Sequence, residues 1–243
     1  MRERIQKILS QQGLFSRRAA EDMIRGGKIK VNGRPASLGD RIDPKKDLIS
    51  INGETVRLER NVRKRYFLLN KPRGFVTTLG DRHAKKDVGM LMKGTGVRLF
   101  PVGRLDKDSE GLLLMTNDGD FANDIAHPSR GVSKGYRVSV RPTAAEEQLF
   151  KLASGVSLDD GLTAPAAVRV TGDDAEKTVF EITLKEGRNR EIRRMCEAVG
   201  LEVIRLKRTS IGPLRLGSLR SGQYRELTGQ EVTALKNACG KRT

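Results

Sequence analysis

Short strand patterns joined by connections of hairpin length run through most of this chain, and they constrain its fold more than any other feature. Runs of alternating or continuous apolar residues predict strands near 65–70, 74–78, 111–116, 134–140, 177–184, 201–208 and 223–227. Helices are expected near 120–126, 144–154, 188–199 and 229–238. Because strands follow strands with few helices between them, the pattern favours an α+β domain with a mixed, mainly antiparallel sheet over a doubly wound parallel one.

Two of these helices carry a stronger signal for where they begin. Thr143 with Glu146, and Thr228 with Glu231, have the spacing of a capping box, in which a hydroxyl and a carboxylate satisfy free backbone N–H groups. We therefore expect both helices to begin next to these threonines.

The first 58 residues have a pattern of their own, with two short helices followed by small hairpins. Ser16 is expected to cap the second helix, and Gly26 to end it. Asn-Gly pairs at 32–33 and 52–53 suit the positive backbone angles of tight hairpin turns.

A charged stretch, RLERNVRKR, follows this module and is typical of a linker. The strand patterns of the larger part begin directly after it. We therefore predict a small domain at 1–58, a linker at 59–64 and a larger domain at 65–243.

The chain is strongly basic, with 47 Lys and Arg against 30 Asp and Glu and a net charge of +17. Such an excess favours a polyanionic partner, nucleic acid first among them, although net charge can also serve solubility alone. The sequence shows no long apolar run, no lipidation signal and no secretory signal. We expect a cytoplasmic, monomeric protein that binds no membrane.

No metal or disulfide pattern is found in the sequence. Cys196 and Cys239 lie far apart and fit no spacing typical of zinc ligands or of a disulfide framework. His83 and His127 cannot form a metal site unaided, and each is expected to be structural or to face RNA. We therefore expect no bound metal.

Basic residues occupy the polar positions of the first domain, and four of them are candidate RNA contacts: Arg17, Arg18, Arg25 and Lys28. Arg17 and Arg18 lie at the predicted start of a helix, where their charge opposes the helix dipole unless an anion is near. A solvated charged face would also explain these residues, but the position at the helix start favours phosphate binding.

This stretch resembles a known RNA-binding module. RIQKILSQQGLFSRRAAEDMIRGGKIKVNG, continuing to LGDRI, is similar to the alpha-L motif, the module named after ribosomal protein S-four. The resemblance implies structured RNA as the ligand. It implies nothing about catalysis.

The segment 102–120 is the most informative part of the larger domain. A loop of charged residues that includes Arg104 and Asp106 precedes an apolar strand, and Asn117-Asp118-Gly119 ends that strand with a turn. Charged loops held between buried strands often carry active sites. A charged connection in which Asp106 or Asp108 caps a turn would explain the same residues, and spacing alone leaves both interpretations open.

The same segment resembles a family of enzymes. VGRLDKDSEGLLLMTNDG closely matches the signature of the pseudouridine synthases, in particular the bacterial ribosomal-RNA branch that carries an S-four-like module at its N-terminus. RYFLLNKPRG, KGYRV and EGRNREIRRM resemble this branch in the same order along the chain. The resemblance implies a pseudouridine synthase catalytic domain, with Asp106 at the position of the essential aspartate. Ser109 departs from the more usual Thr but keeps the hydroxyl.

The implied reaction needs little besides one carboxylate. Converting uridine to pseudouridine breaks the bond between N1 of uracil and the anomeric carbon, turns the base and rejoins it through carbon 5. Asp106 suffices as the covalent nucleophile, at carbon 6 of the ring or at the anomeric carbon, and the sequence leaves both routes open. No redox change and no group donor is needed, so no cofactor is expected. A base must remove the proton from carbon 5.

Tyr136 matches the active-site tyrosine of the family and is the second catalytic candidate. The resemblance implies stacking on a uracil that has left the RNA stack, or proton transfer. A core residue facing inward from a strand would give the same local pattern.

Arg193 is the third catalytic candidate. On the predicted helix at 188–199, Arg193 lies on the flank of the buried face, whereas Arg190 and Arg194 lie roughly opposite that face. The resemblance implies that Arg193 pairs with Asp106 and keeps it ionised.

The other candidates are expected to contact RNA. Arg104 resembles the residue that assists base flipping in the family. The set is completed by Lys134, Arg188, Arg190 and Arg194. Structural or turn roles are expected for Asp108, Asp118 and Asp120.

Three functions compete on these observations. The favoured one is a synthase that modifies one uridine of ribosomal RNA, with the large subunit favoured because GRNREIRRM and LFSRRAAED look closer to its members. The alternative is a catalytically silent RNA-binding factor for ribosome assembly, which would not need Asp106, Tyr136 and Arg193 together. A methyltransferase would need a nucleotide-cofactor loop, and the glycines at 94–96 lack that pattern.

Overall fold

The structure, a computed structural model, describes residues 2–59, 62–79 and 85–239. Its contacts divide the chain into two compact units. The N-terminal unit contains the chain as far as Arg65, with Gly96–Leu99 and Asn117–Gly119. The remainder, from Tyr66 onward, is called the sheet unit. The domain limits at 58 and 65 stay a prediction.

In the N-terminal unit two helices pack on a small sheet. Its elements are β1 (Glu3–Arg4), α1 (Ile5–Gln11), α2 (Arg17–Arg25), β2 (Ile29–Val31), β3 (Arg34–Pro35), β4 (Arg41–Ile42), β5 (Ile49–Ile51) and β6 (Glu54–Val56). The strands pair in the order β3-β2-β5-β6, and β1 pairs with β4. Ile5 and Leu9 of α1 pack with Ala20 and Ile24 of α2 in a buried apolar core.

The local signals read in this unit are confirmed. The Ser16 hydroxyl accepts a hydrogen bond from the Ala19 N–H at 3.0 Å, and α2 ends at Gly26. Asn32 and Asn52 have φ angles of 48° and 51°, and each is followed by a glycine with positive φ. These angles belong to the two-residue turns that join β2 to β3 and β5 to β6.

The sheet unit contains the remaining elements. The strands are β7 (Tyr66–Lys71), β8 (Phe100–Val102), β9 (Glu110–Thr116), β10 (Lys134–Arg141), β11 (Ser157–Leu158), β12 (Gly161–Leu162), β13 (Ala167–Asp173), β14 (Thr178–Leu184), β15 (Glu202–Ile211), β16 (Leu214–Arg215) and β17 (Tyr224–Glu226). The helices are α3 (Val88–Leu91), α4 (Gly119–Ala126), α5 (Glu146–Ser154), α6 (Glu191–Ala198) and α7 (Gly229–Ala238), with short 3-10 turns at Lys93–Thr95 and Pro128–Arg130.

One large sheet dominates this unit. Its strands run in the order β13-β14-β10-β15-β9-β7-β17, with β16 beside β15 and β8 beside β9. Neighbouring strands are antiparallel except β9 and β15, which run parallel. The expected α+β fold with a mixed, mainly antiparallel sheet is therefore confirmed.

Helices cover opposite faces of the two halves of this sheet. In one half, Leu112 and Leu114 of β9 pack against α4 and α7. In the other, Val138 of β10 and Leu206 of β15 pack against α5 and α6. The parallel register pairs Lys207 with Glu110, so Lys207 lies on the same face of the sheet as Leu112 and Leu114. Leu206 precedes Lys207 in β15 and therefore lies on the opposite face. In each half of the sheet, these four helices therefore cover one face and not the other.

One predicted strand is absent, and one long strand was not predicted. Residues 74–78 form no strand, and only Val76 makes an isolated bridge, to Asp87. The strand β13 was not predicted, because most of its residues are exposed and only the partly buried Val168 of this strand packs against the described core. It is placed by its pairing with β14 rather than by burial.

One of the two predicted capping boxes is confirmed. Thr228 accepts from the Glu231 N–H at 3.2 Å, and Glu231 accepts from the Thr228 N–H at 2.9 Å. The box at Thr143 and Glu146 is wrong, because the Thr143 hydroxyl donates to the Asp174 carbonyl at 2.7 Å. Helix α5 instead begins after Ala145, whose N–H is bound by the side chain three residues later.

Candidate active site

A buried lysine holds the loop that carries Asp106 between β8 and β9. Lys71, the last residue of β7, is fully buried. Its ammonium donates to the main-chain carbonyls of Asp106 (2.9 Å), Ser109 (2.7 Å) and Pro72 (3.2 Å). Burial lowers the pKa of Lys71 to about 8, while the carboxylates of Asp106 and Asp108 act in the opposite direction. Two of these bonds fix the main chain of the loop, at Asp106 and at Ser109.

The segment that follows β7 holds the same loop from a second direction. The Thr77 hydroxyl accepts from the Leu105 N–H at 3.2 Å and donates to the Leu105 carbonyl at 2.5 Å. The Gly74 N–H donates to the Lys107 carbonyl at 2.7 Å. A loop held by its main chain presents its side chains in a fixed direction, as an active site requires.

Asp106 and Asp108 meet two arginines of the segment that leads into α6. Each aspartate side chain is 38% exposed. Arg193 lies 3.1 Å from Asp108, and Arg190 lies 3.5 Å from Asp108 and 3.7 Å from Asp106. The last distance is too long for a hydrogen bond. The Asp106 carboxylate thus has a positive neighbour but remains open to a substrate.

The expected pairing of Arg193 with Asp106 is wrong in this structure. Arg193 pairs with Asp108, and its guanidinium also donates to the carbonyls of Val203 (3.2 Å) and Asp108 (3.3 Å). Among the described residues, Asp106 forms its ion pair with Arg190 instead. The sequence pattern placed Arg190 within a helix, on the side away from the buried face. In the structure α6 begins only at Glu191, and Arg190 precedes it with a φ of 47°.

Arg193 is the more buried of the two arginines, with a side chain 13% exposed. Burial lowers the pKa of its guanidinium, and the neighbouring Asp108 acts in the opposite direction. Its Nε finds no hydrogen-bond partner among the described residues. Asp108, for which a structural role was expected, therefore holds the arginine that sequence reasoning assigned to Asp106.

A cavity of about 100 Å³ opens beside Asp106. Its wall includes Tyr136 of β10, Arg104 of the loop, and Arg188 and Arg190, so the structure brings five of the predicted residues together. Leu184 and Leu206 add apolar surface to the wall. A carboxylate beside an aromatic ring and apolar walls is suited to a flat, uncharged base held against a nucleophile.

Two neighbouring carboxyl groups, those of the buried Glu191 and the partly exposed Glu186, lie in the same cavity wall. Glu191 is 4% exposed; one of its oxygens accepts from the Arg188 N–H at 3.0 Å, and the other has no donor among the described residues. Burial, with the neighbouring Glu186 carboxyl, raises the pKa of Glu191 to about 7. A proton on Glu191 can therefore donate to Glu186 and satisfy the remaining oxygen. Burial lowers the pKa of Lys134, and the nearby Glu191 opposes that effect.

Arg188 and Arg194 bind the hairpin formed by β11 and β12. Arg194 pairs with Asp159 at 2.6 Å and with Asp160 at 2.9 Å. Arg188 pairs with Glu186 at 2.9 Å and donates to the carbonyls of residues 161 and 162 at 3.0 and 2.7 Å. Both guanidinium groups are thus used within the protein, and contact with RNA stays a prediction for them.

The candidate RNA contacts of the N-terminal unit lie at its surface. Arg17 and Arg18 are exposed in the first turn of α2, which contains no acidic residue, and Lys28 is exposed before β2. Arg25 pairs with Asp22 at 2.8 Å, with both side chains largely in solvent. Such an exposed pair contributes little to stability and leaves the guanidinium able to exchange partners.

Comparison with known proteins shows the family. Residues 65–198, more than half of the chain, match the family model described as RNA pseudouridylate synthase. Residues 3–49 match the model of the S4 domain. The chain belongs to the RNA pseudouridine synthases. It is therefore an isomerase, and the N-terminal unit of the synthase is an RNA-binding module.

Individual relatives cover nearly the whole synthase. It is 44% identical over 237 residues to ribosomal large subunit pseudouridine synthase B of Bacillus subtilis, across 96% of each chain. It is 37% identical over 243 residues to the protein of the same name from Haemophilus influenzae, covering 98% of this chain and 68% of that one. A crystal structure of a pseudouridylate synthase matches with a TM-score of 0.68 and 30% identity, covering 96% of this chain and 99% of that one.

Sequence reasoning missed two buried cations of the synthase. Lys71 was included only in the segment RYFLLNKPRG, after the strand predicted at 65–70, and Arg208 only as the end of the strand predicted at 201–208. Arg208 is 3% exposed and donates to the Leu112 carbonyl at 2.7 Å and to the Arg104 carbonyl at 3.5 Å. A basic residue inside an apolar strand pattern was the available signal, because such residues are rarely buried without a specific partner.

Further expectations concern metals and membranes. Among the described residues, no group of three or more His, Cys, Asp or Glu side chains is placed to hold a metal ion. Cys196 is buried, and burial raises its pKa to about 12. His83 lies outside the described residues. None of the helices in the described part of the synthase is both long and apolar enough to cross a membrane.

Proposed function

We propose that the synthase isomerises one uridine of large-subunit ribosomal RNA and that Asp106 is its nucleophile. The observation that carries the proposal is the Asp106 carboxylate, which borders the cavity shared with Tyr136 on a loop fixed by its main chain. The names of the relatives from Bacillus subtilis and Haemophilus influenzae support the large subunit as the source of the RNA. We further propose that the protein acts as a monomer in the cytoplasm and without a cofactor.

The proposed reaction conserves all atoms of the substrate. An oxygen of Asp106 forms a bond to the anomeric carbon as the bond to N1 breaks, or it adds to carbon 6 of the ring, after which the bond between N1 and the anomeric carbon breaks. Both routes begin with the ionised carboxylate. The uracil turns within the cavity, and carbon 5 bonds to the anomeric carbon as the aspartate is released. Loss of the proton from carbon 5 and protonation of N1 complete the isomerisation.

The neighbours of Asp106 have distinct proposed roles. Arg190, 3.7 Å away, places a positive charge beside the carboxylate without a hydrogen bond that would have to break before attack. Tyr136 stacks on the uracil or accepts the proton from carbon 5. Arg193 acts through Asp108 and is a positioning residue in this scheme. Arg104, exposed at the cavity rim, braces the RNA where the uridine has left the stack.

Replacement of Asp106 by Asn tests the nucleophile. The change removes the nucleophilic charge and keeps the shape, so we expect turnover of a rRNA stem-loop to fall by at least about a thousandfold while affinity changes little. Asp120→Asn in the first turn of α4 is the matched control and should retain activity. Turnover of Asp106→Asn at the wild-type rate would overturn the mechanism.

The target is tested separately by mapping pseudouridines in ribosomal RNA from cells with and without the protein. We expect one site in large-subunit RNA to lose its modification and to regain it with the wild-type chain only. Loss of a site in small-subunit RNA instead, or of no site in ribosomal RNA, would overturn the target.

A further inference from the structure

One face of the large sheet is open over β10, β14 and β15. Along β10, Tyr136 and Val138 point toward α5 and α6, so Arg137 and Ser139 point away from these helices. The register places Lys207 beside Arg137 on that second face. Between these strands lies a depression of about 520 Å³, which we call the sheet groove.

The sheet groove is basic. It is lined by Arg137, Lys177, Arg205 and Lys207, with the hydroxyls of Ser139 and Thr209. Two of the four cations have carboxylate partners: Arg205 pairs with Glu110 at 2.7 Å, and Lys177 with Asp174 at 3.4 Å. Within the part of the chain that the structure describes, Arg137 and Lys207 form no ion pair.

Arg137 and Lys207 are directly opposed across the pairing of β10 with β15. Like charges at directly opposed positions destabilise an antiparallel pair. On its other side Arg137 faces Glu181, but that carboxylate is bound to Arg169 at 2.7 Å. Two adjacent cations that lack their own counterion are stabilised by a bound anion.

We propose that the sheet groove binds the phosphate backbone of RNA, at a segment of the substrate distant from the uridine in the active-site cavity. This inference rests on the proposed function, because it requires a large structured RNA as substrate. Tyr136 lines the active-site cavity and points to the opposite face from Arg137, so a short stem-loop in the cavity has no need to reach the groove.

The lining of the groove favours phosphate over bases. Its residues are basic, hydroxylic or aliphatic, and none is aromatic. Stacking platforms for bases are built from aromatic side chains, whereas Lys, Arg, Ser and Thr are the usual contacts to phosphate oxygens. The groove should therefore add affinity without regard to base sequence.

The test compares Arg137→Gln/Lys207→Gln with the wild type on two RNAs, a long structured fragment of large-subunit ribosomal RNA and a short stem-loop. For the long fragment we expect affinity to fall about tenfold and the slope of log affinity against log salt to decrease by about two. For the short stem-loop we expect unchanged affinity. Binding is measured directly, so the result does not depend on whether the stem-loop is the correct target for turnover.

Lys151→Gln/Arg215→Gln is the matched control, because it removes one exposed lysine and one exposed arginine from outside the groove. It should change affinity for the long fragment by less than about twofold. Equal losses for the two double variants would overturn the inference, since net charge alone would then explain them. Unchanged affinity of the groove variant for the long fragment would also overturn it, including the case in which the groove binds an acidic protein.

Discussion

Asp106 and Asp108 are two residues apart and equally exposed, yet their surroundings differ. Asp108 forms the short ion pair with Arg193 and a second pair with Arg190. Within the described ranges, the ion pair of Asp106 is the longer one with Arg190. Asp108, with the shorter ion pairs, is suited to hold the arginines in place, and Asp106 is suited to attack a substrate.

Glu191 gives a pH dependence of stability whose sign can be worked out. Its pKa is raised from 4.5 to about 7, mainly by burial. Between these values the folded protein keeps a proton that the unfolded chain releases, so the free energy of unfolding falls as pH rises through this window. Glu191→Gln is neutral at every pH and lacks this dependence.

We therefore expect Glu191→Gln to gain stability relative to the wild type between about pH 5 and about pH 8. The expected gain is on the order of 1–3 kcal/mol, since one pKa unit corresponds to about 1.4 kcal/mol. Urea unfolding of both proteins across this range measures it. Titrations of groups remote from Glu191 occur in both proteins and largely cancel. A stability difference that does not vary with pH would contradict the prediction.

At the level of elements, the parallel contact of β9 with β15 depends on Gly111. Gly111 has a φ of 105°, and a Cβ atom there would collide with the main chain of Arg208. We expect Gly111→Ala to lower the free energy of unfolding by more than about 3 kcal/mol, because both strands must shift.

Gly103→Ala is the control for this substitution. Gly103 also has a positive φ, of 70°, but a Cβ atom there would meet nothing within 4 Å. Its cost should be that of the backbone strain alone, about 1 kcal/mol. Urea unfolding of the two variants separates strain from collision, and equal losses would show that the close approach to Arg208 is not the cause.

Elements whose signals are local could be predicted from the sequence, and those that depend on distant partners could not. The Asn32 turn and the Thr228 cap are set by residues within three positions of each other. The Thr143 hydroxyl, by contrast, donates a hydrogen bond to the Asp174 carbonyl, 31 residues away. Strand β13 lacks a buried face, so its apolar pattern is too weak to recognise.

In the candidate site, too, some residues could be predicted from the sequence and others could not. Asp106 was found by its motif, and Tyr136 joins it in the cavity wall. The partner predicted for Arg193 was wrong. The prediction assumed a regular helix from residue 188, whereas Arg190 has a left-handed conformation and α6 begins after it. The roles of Lys71 and Glu191 were missed, since the burial of an ionisable side chain is a property of the tertiary structure.

At the scale of the whole molecule, the basic residues of the N-terminal unit should contribute affinity for RNA rather than chemistry. Deletion of residues 1–58 is expected to weaken binding to long structured RNA and to flatten its salt dependence, because phosphate contacts by residues such as Arg17, Arg18 and Lys28 are lost. Filter binding at several salt concentrations measures both effects. A truncated chain that folds, as judged by circular dichroism, and binds with the same affinity and slope would contradict the prediction.

The bonds made by Lys71 have an evolutionary consequence. They end on carbonyl groups, which every residue possesses, so the anchoring of the Asp106 loop places no demand on the identity of the side chains beside it. Lys107, exposed in the middle of the loop, is the clearest example, because the contact that holds it, from the Gly74 N–H, ends on its main-chain carbonyl. Substitutions at such positions can alter which RNA is preferred while the carboxylate stays where it is. Related enzymes could thus diverge in target without rebuilding their reaction centre.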